Sequence, residues 1–165
     1  MPTLEIDQAD SRLMARQLRR AGRREIGGIL MAEQVGPGRF HLAAFTTDDH
    51  AGTRSTFRRS EAQHTAALNE FFSRHQHDFA RFNYFGEWHS HPSFPVTPSE
   101  LDKRTMRDIV AAPGGPDFAV LVIARLDYWI RLRLSATVFQ LGYPDYDMDI
   151  AIVDQPRRGA RNGRP

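Results

Sequence analysis

Two histidines separated by a single residue, His89 and His91, are followed by Asp102 at a spacing that suits one metal ion. Side chains at alternate positions of a β-strand lie on the same face, so both imidazoles can point one way while Ser90 points the other. Pro92 favours an extended backbone at His91, which supports a strand rather than a helix. Neutral imidazoles and carboxylates are common zinc ligands. The stretch therefore predicts a metal site at the end of a strand.

The residues after this strand predict the start of a helix. Thr97 fits the N-cap, Pro98 fits the first helical position, and Glu100 completes a capping box. Ser99 and Asp102 would then be free for other roles, and their spacing of three places them on one face of the first turns. Asp102 also continues the apolar stripe of this helix, which should face the sheet. A buried carboxylate needs a cation beside it, and a divalent ion would meet that need.

A metal ion held by two histidines and one carboxylate supports two different chemistries. Three nitrogen and oxygen ligands leave one position of a tetrahedral zinc ion open, which is typical of a catalytic site that activates water. The same ligands also form the facial triad of non-haem iron(II) oxygenases. The residues alone leave both alternatives open.

A second histidine pair, His75 and His77, has the same spacing but a different predicted setting. Both residues fall in a predicted helix, where side chains two positions apart diverge by about 200°. These two histidines are therefore not expected to bind one metal together, and we expect them to face solvent.

The complete set of spacings resembles the signature of JAMM zinc metalloproteases, also called JAB or MPN domains. In that signature a His-Ser-His or His-Thr-His triplet is followed after seven residues by serine and after two more by aspartate, as in 89–102. An upstream glutamate within a Glu-x-Gly-Gly-x-Leu run completes the pattern, and Glu25–Leu30 reads Glu-Ile-Gly-Gly-Ile-Leu. The resemblance thus spans 25–102 and, because such domains are short, implies that most of the chain is one such domain.

The resemblance implies a role for each residue of the pattern. The ligands of one Zn2+ per chain would be His89, His91 and Asp102. Glu25 would be the catalytic base that takes a proton from water, and Ser99 would donate a hydrogen bond to the oxyanion.

Spacing alone gives the base a competitor. Glu87 lies two residues before His89 and would share its face of the strand. The assignment of Glu25 as the base therefore rests on the resemblance rather than on local geometry.

The resemblance also implies a substrate class. JAMM enzymes cut peptide or isopeptide bonds after the C-terminal glycine of ubiquitin or a ubiquitin-like protein. Short prokaryotic members resemble enzymes that act beside E1-like and E2-like proteins, some of them in antiphage defence. We therefore expect a zinc-dependent isopeptidase that acts on a ubiquitin-like protein or its conjugates, by deconjugation or precursor processing. A catalytically silent MPN scaffold is the further alternative.

The composition restricts the class of protein. The chain has 165 residues, of which 41% are hydrophobic, and this is enough for one domain with a sizeable core. It has no cysteine, which excludes disulfides, thiolate zinc sites and cysteine nucleophiles. No apolar run approaches the roughly 20 residues of a membrane span, and a signal-peptide pattern is missing. We expect a cytoplasmic protein without a membrane partner.

The net charge separates the chain into two parts. The whole chain carries +2, but residues 155–165 contain four arginines and no acid, so the remainder carries a net −2. We therefore predict a JAB-like domain at 1–154 and a basic, disordered tail at 155–165. Because the basic excess belongs to the tail, nucleic-acid binding is not expected of the domain.

Hydrophobic periodicity predicts helices and strands throughout the domain. Helices are expected at about 7–20, 60–77 and 97–111, and strands at 25–31, 40–46, 53–58, 81–91, 118–124, 128–139 and 145–153, the last at a sheet edge. These elements predict a single α/β domain. The resemblance implies its architecture, an MPN-like and cytidine-deaminase-like α/β/α sandwich in which a curved mixed sheet is flanked by helices.

Overall fold

A computed structural model of the chain describes residues 1–48 and 61–154, without the side chains of 61–63. The elements are, in chain order, β1 (Thr3–Asp7), α1 (Gln8–Ala21), β2 (Gly27–Gly36), β3 (Arg39–Phe45), α2 (Glu61–Arg74), β4 (Phe82–Ser90), α3 (Glu100–Ala111), β5 (Phe118–Asp127), β6 (Arg131–Gln140) and β7 (Tyr146–Val153). The predicted strand at 53–58 and the predicted tail at 155–165 lie outside the described residues. Among the described helices, none combines the length and the apolar character needed to cross a membrane.

The strands form a mixed sheet that closes on itself in the order β1-β3-β2-β4-β5-β6-β7. β1 pairs in parallel with β3 and with β7, and β4 pairs in parallel with β5, whereas the other neighbours are antiparallel. The predicted mixed α/β fold is confirmed. The curved sheet of the predicted sandwich closes into a barrel, and the edge position of the last strand is wrong, because β1, which the periodicity did not reveal, joins β7 to β3.

Alternation along the strands creates two buried faces. The cluster that fills the barrel interior draws on all seven strands and on α1, and includes Leu4, Ile6, Met14, Leu18, Leu30, Leu42, Phe85, Trp88, Val120, Val122, Val138 and Met148. The outer face packs on α3 through Met106, Val110, Leu121, Ile123 and Phe139. It packs on α2 through Ile29, Met31 and Phe71. Helices therefore cover both faces of the sheet, and the region between β4 and α3 lies on the outer side.

Gly86 allows β4 to approach β5 three residues before His89. Its φ is +153°, and a Cβ atom there would lie 1.9 Å from the carbonyl oxygen of Val120. We expect Gly86→Ala to lower the free energy of unfolding by at least about 2 kcal/mol, measured by urea unfolding, because both the backbone and the neighbouring strand would have to move. Gly36→Ala is the matched control, since a Cβ atom at Gly36 would meet nothing within 4 Å. Equal stability of the two variants would contradict this prediction.

The second histidine pair lies beyond the helix that was predicted to carry it. α2 ends at Arg74, and both Gln76 and His77 have a φ of 55°. The ring of His75 stacks on Phe82 with a centroid distance of 3.9 Å, and burial lowers the pKa of His75. The expectation that both histidines face solvent is therefore wrong for His75, whereas His77 is exposed.

Candidate metal centre

The three predicted ligands converge between the end of β4 and the first turn of α3. Nε2 of His89 lies 3.0 Å from Nε2 of His91 and 3.3 Å from Oδ1 of Asp102. Nε2 of His91 lies 3.7 Å from Oδ2 of Asp102. Ligand atoms bound tetrahedrally to one zinc ion at about 2.0–2.1 Å lie roughly 3.3 Å from one another. These three side chains therefore have the donor types and the spacing that a single zinc ion requires.

Strand pairing on both sides fixes the two histidines. His89 pairs with Gly27 of β2 and with Ile123 of β5. The backbone N–H of His91 donates to the carbonyl of Ala124 at 2.9 Å, so β5 also supports the residue that follows β4. As alternation predicts, both imidazoles therefore reach the same side of the sheet.

A hydrogen bond to the backbone sets the proton position of His91. Its Nδ1 lies 2.8 Å from the carbonyl oxygen of Pro95, which can only accept, so Nδ1 carries the proton. Burial lowers the pKa of His91, which favours the neutral ring. The lone pair of Nε2 is thus directed at the other two ligands, the arrangement usual for a metal-binding histidine.

The helix that carries Asp102 begins later than predicted. α3 starts at Glu100 with Ser99 as the N-cap, and the capping box joins Ser99 to Asp102 rather than Thr97 to Glu100. Both pairs have the spacing of a capping box, so the sequence pattern fits either register. The prediction that Ser99 and Asp102 are free of the cap is therefore wrong.

The capping box orients the carboxylate that faces the histidines. Oδ2 of Asp102 accepts hydrogen bonds from the backbone N–H and from the hydroxyl of Ser99, each at 2.7 Å. The hydroxyl oxygen accepts in turn from the backbone N–H of Asp102 at 3.1 Å. Burial alone would raise the pKa of Asp102, but the contacts with His89 and Ser99 outweigh it and hold this pKa well below its usual range. Asp102 is therefore an anionic donor.

Glu25 lies just before β2 and is buried, with 8% of its surface exposed. Burial raises the pKa of Glu25, while the charge of His89 lowers it and the charge of Asp102 raises it. Because Gly27 pairs with His89, strand pairing brings the segment of Glu25 to the end of β4 that carries the histidines. Gly27 helps to bring this segment close, because a Cβ atom there would lie 2.2 Å from the carbonyl oxygen of Trp88.

Glu87, the competing carboxylate, is also buried, with 6% of its surface exposed. Its Oε1 lies 3.5 Å from the hydroxyl of Tyr84 on the same strand. Burial alone therefore does not separate the two glutamates.

Ser90 joins the segment of Glu25 to the strand of the histidines, a connection that spacing did not reveal. Its buried hydroxyl accepts from the backbone N–H of Ile26 at 3.0 Å, and its own N–H donates to the carbonyl of Ile26 at 2.8 Å. The side chain indeed points away from the two imidazoles. One signal for this was present in the sequence, the position of Ser90 between the two histidines, where strand alternation turns its side chain to the opposite face.

Replacing Ser90 should destabilise this connection. We expect Ser90→Ala to lower the free energy of unfolding by about 1–3 kcal/mol, because the buried N–H of Ile26 loses its acceptor. Chemical unfolding of the metal-free protein measures this. Ser90→Thr keeps the hydroxyl and should lose less than Ser90→Ala; a larger loss for Ser90→Thr would contradict the assigned contact.

Comparisons with known proteins identify the family of the chain and two related sequences. Residues 8–135 match the family model described as prokaryotic homologs of the JAB domain. The chain is 27% identical over 122 residues to a protein named CD-NTase/cGAS isopeptidase from Vibrio cholerae serotype O1, covering 70% of this chain and 73% of that protein. It is 29% identical over 120 residues to a protein of the same name from Escherichia coli strain TW11681, covering 71% and 72%.

A solved structure supports the fold alone. The solution structure of a Desulfitobacterium hafniense protein matches with a TM-score of 0.70 at 15% identity, and the match covers 93% of this chain and 95% of that one. The architecture described above therefore recurs in a protein of low sequence similarity.

Proposed function

Because the chain belongs to the family of prokaryotic homologs of the JAB domain, we propose that it is a zinc-dependent isopeptidase that cleaves after the C-terminal glycine of a ubiquitin-like protein. The observation that carries the proposal is the convergence of His89, His91 and Asp102. The two relatives named isopeptidases support hydrolysis of an amide bond. One Zn2+ per chain would supply a Lewis acid for the scissile carbonyl and would lower the pKa of a bound water molecule to about 7.

Within this proposal, Glu25 moves the proton. Its carboxylate would accept a proton from the attacking water and would later give it to the leaving amine. A pKa raised by burial suits this role, because it makes the carboxylate a better proton acceptor than an exposed one.

Ser99 would have two roles. Its hydroxyl donates to Asp102 and so holds that ligand in place. When substrate is bound, rotation about the Cβ–Oγ bond would redirect the hydroxyl proton toward the oxyanion, while the backbone N–H of Ser99 keeps its own hydrogen bond to Asp102.

Two classes of substrate fit the proposal, and they differ in which protein lies on the N-terminal side of the scissile bond. A ubiquitin-like protein that ends in glycine is the first, with E1-like and E2-like proteins as the partners that would form its conjugates. The names of the two relatives suggest a second candidate, in which a CD-NTase is the conjugated protein. Both candidates require the same hydrolysis, and antiphage defence is the role that the family resemblance implies.

Cleavage of tagged fusions tests the proposal. Bacterial ubiquitin-like proteins that end in glycine, and a CD-NTase, would each carry a short peptide tag after the last residue. We expect mass analysis to show release of the intact tag from at least one fusion. A chelator should stop the reaction and Zn2+ should restore it. No cleavage of any fusion by the zinc-loaded protein would contradict the proposal.

Metal analysis separates the hydrolase from the two alternatives. Protein purified without added metal should contain zinc rather than iron, at about one ion per chain. Iron, together with oxygen uptake in the presence of a 2-oxo acid, would indicate the oxygenase. Zinc without any cleavage would indicate the silent scaffold.

A further inference from the structure

The hairpin between β5 and β6 ends in three large apolar residues that the fold leaves exposed. Tyr128 is 92% exposed, Trp129 53% and Ile130 78%; these three residues are called the aromatic tip below. Phe94, in the loop that follows β4, is 55% exposed. Single exposed apolar residues are common, but a contiguous group usually marks an interaction site.

The backbone of the aromatic tip is unfavourable for the residues it carries. The N–H of Ile130 donates to the carbonyl of Asp127 at 3.1 Å, which closes a tight turn. Its two central residues, Tyr128 and Trp129, have φ values of 52° and 62°. Turns of this kind favour asparagine and glycine, because other side chains are strained at positive φ. Neither burial nor turn geometry explains the two aromatic residues, which points to a role in binding.

Two contacts position the backbone of the aromatic tip and of the neighbouring loop. The Nε of Arg19 on α1 donates to the carbonyl of Trp129 at 2.9 Å. The Nη1 of Arg125 on β5 donates to the carbonyl of Phe94 at 3.2 Å, which links the hairpin to the loop after β4. A surface fixed in this way loses little conformational entropy when it binds a partner.

The same loop continues into the metal centre. Pro95, the residue after Phe94, accepts the hydrogen bond of His91. A groove of about 740 Å³ separates this loop from the hairpin and is lined on its two sides by Pro95, Val96, Thr97, Tyr128, Trp129 and Arg133. The aromatic tip, the groove and the metal ligands therefore lie on one continuous surface.

The surroundings of the aromatic tip are basic. The arginines that lie around it, on α1, in the turn after α1 and on the hairpin, are Arg19, Arg23, Arg125, Arg131 and Arg133. The acid among them, Asp127, is paired with Arg125 at 3.1 Å and with Arg133 at 2.6 Å. The surface therefore fits a partner with an apolar patch bordered by carboxylates.

We propose that the aromatic tip and Phe94 form the docking surface for the folded body of the ubiquitin-like protein whose C-terminal tail enters the metal centre. This inference rests on the proposed function. The ubiquitin-like protein is the part shared by all its conjugates, whereas the proteins on the leaving side vary. A rigid aromatic surface beside the site suits the shared part.

The double variant Tyr128→Asn with Trp129→Gly tests this proposal without harming the turn, because Asn-Gly is the pair that the turn prefers. We expect its melting temperature to equal or exceed that of the wild type. For a folded ubiquitin-like protein fused to a peptide tag, kcat/KM should fall by at least about tenfold, through KM. For a peptide of only its last eight or so residues with the same tag, kcat/KM should stay within about twofold.

Tyr143→Asn is the matched control, since Tyr143 is 65% exposed in the β6–β7 turn, at the other end of these strands. It should leave both reactions unchanged. If the double variant lost as much activity on the short peptide as on the folded fusion, the proposal would be overturned. It would also be overturned if the double variant lost activity only on a fusion whose tag is replaced by a folded protein, because the surface would then bind the leaving side.

A binding measurement separates this inference from the proposed function. Calorimetry would measure the binding of the same ubiquitin-like protein to enzyme from which a chelator has removed the metal. Weaker binding by the double variant than by the wild type supports the docking surface, even if the wild type cleaves nothing. Equal binding by both proteins, or no binding by either, overturns the docking surface even if the wild type cleaves the fusion.

Discussion

His91→Ala is expected to abolish stoichiometric zinc binding and to lower kcat/KM for a cleavable fusion by at least about a thousandfold. The variant removes one of three converging donors, and the remaining pair, His89 and Asp102, lie 3.3 Å apart without a third protein ligand. It also removes the Nδ1–H that binds the carbonyl of Pro95, so the loop after β4 loses an anchor. Zinc content by mass spectrometry and steady-state kinetics measure the two effects.

His77→Ala provides the control for this prediction. His77 belongs to the other histidine pair and is exposed beyond the end of α2. The variant should keep one zinc ion per chain and the full rate. If His91→Ala bound zinc as tightly as the His77→Ala control and kept its rate, the ligand assignment would be wrong.

The ligand cluster was predictable because its geometry is local. His89 and His91 share a face through strand alternation, and the strand indeed ends between them, at Ser90. Asp102 follows in the first turn of a helix whose apolar stripe packs on the sheet. Each step uses a repeat of two or of about 3.6 residues, so little long-range information was needed.

Other features depend on contacts that a local pattern does not contain. Both Thr97 and Ser99 have an acidic residue three positions later, so the helix start was ambiguous. In the structure the helix begins after Ser99, and Asp102 in its first turn contacts the two histidines. β1 closes the sheet through partners more than thirty residues away in sequence, and its five residues carry only a short alternation. His75 is half-buried through a stack with Phe82 that follows from the chain reversal after α2.

Glu25→Gln is expected to lower kcat by about 10²–10⁴-fold while one zinc ion per chain remains bound. The amide keeps the size of the side chain but cannot take a proton from water. Because the three ligands are untouched, the defect should appear in kcat rather than in metal content. Single-turnover kinetics of the zinc-loaded variant, with metal analysis of the same sample, measure both quantities.

The pH dependence follows from the burial of Glu25, which raises its pKa above the ordinary value of 4.5. The base works only when ionised, so wild-type activity should fall as the pH drops through this raised pKa, and that acid limb should disappear in Glu25→Gln.

The stability of the metal-free protein depends on the same group. Folding favours the protonated form of Glu25, so the metal-free wild type loses stability as the pH rises from the unfolded to the folded pKa. Metal-free Glu25→Gln should therefore be at least as stable as the wild type at neutral pH and should gain less at low pH.

Glu87→Gln is the control that decides between the two buried carboxylates. Glu87 contacts Tyr84 on its own strand, and Glu25 is the base that the proposed function assigns. The Glu87→Gln variant should therefore keep the acid limb of the pH profile and most of kcat. If Glu87→Gln removed the acid limb while Glu25→Gln kept it, Glu87 on β4 would be the base, and Glu25 would have only a structural role.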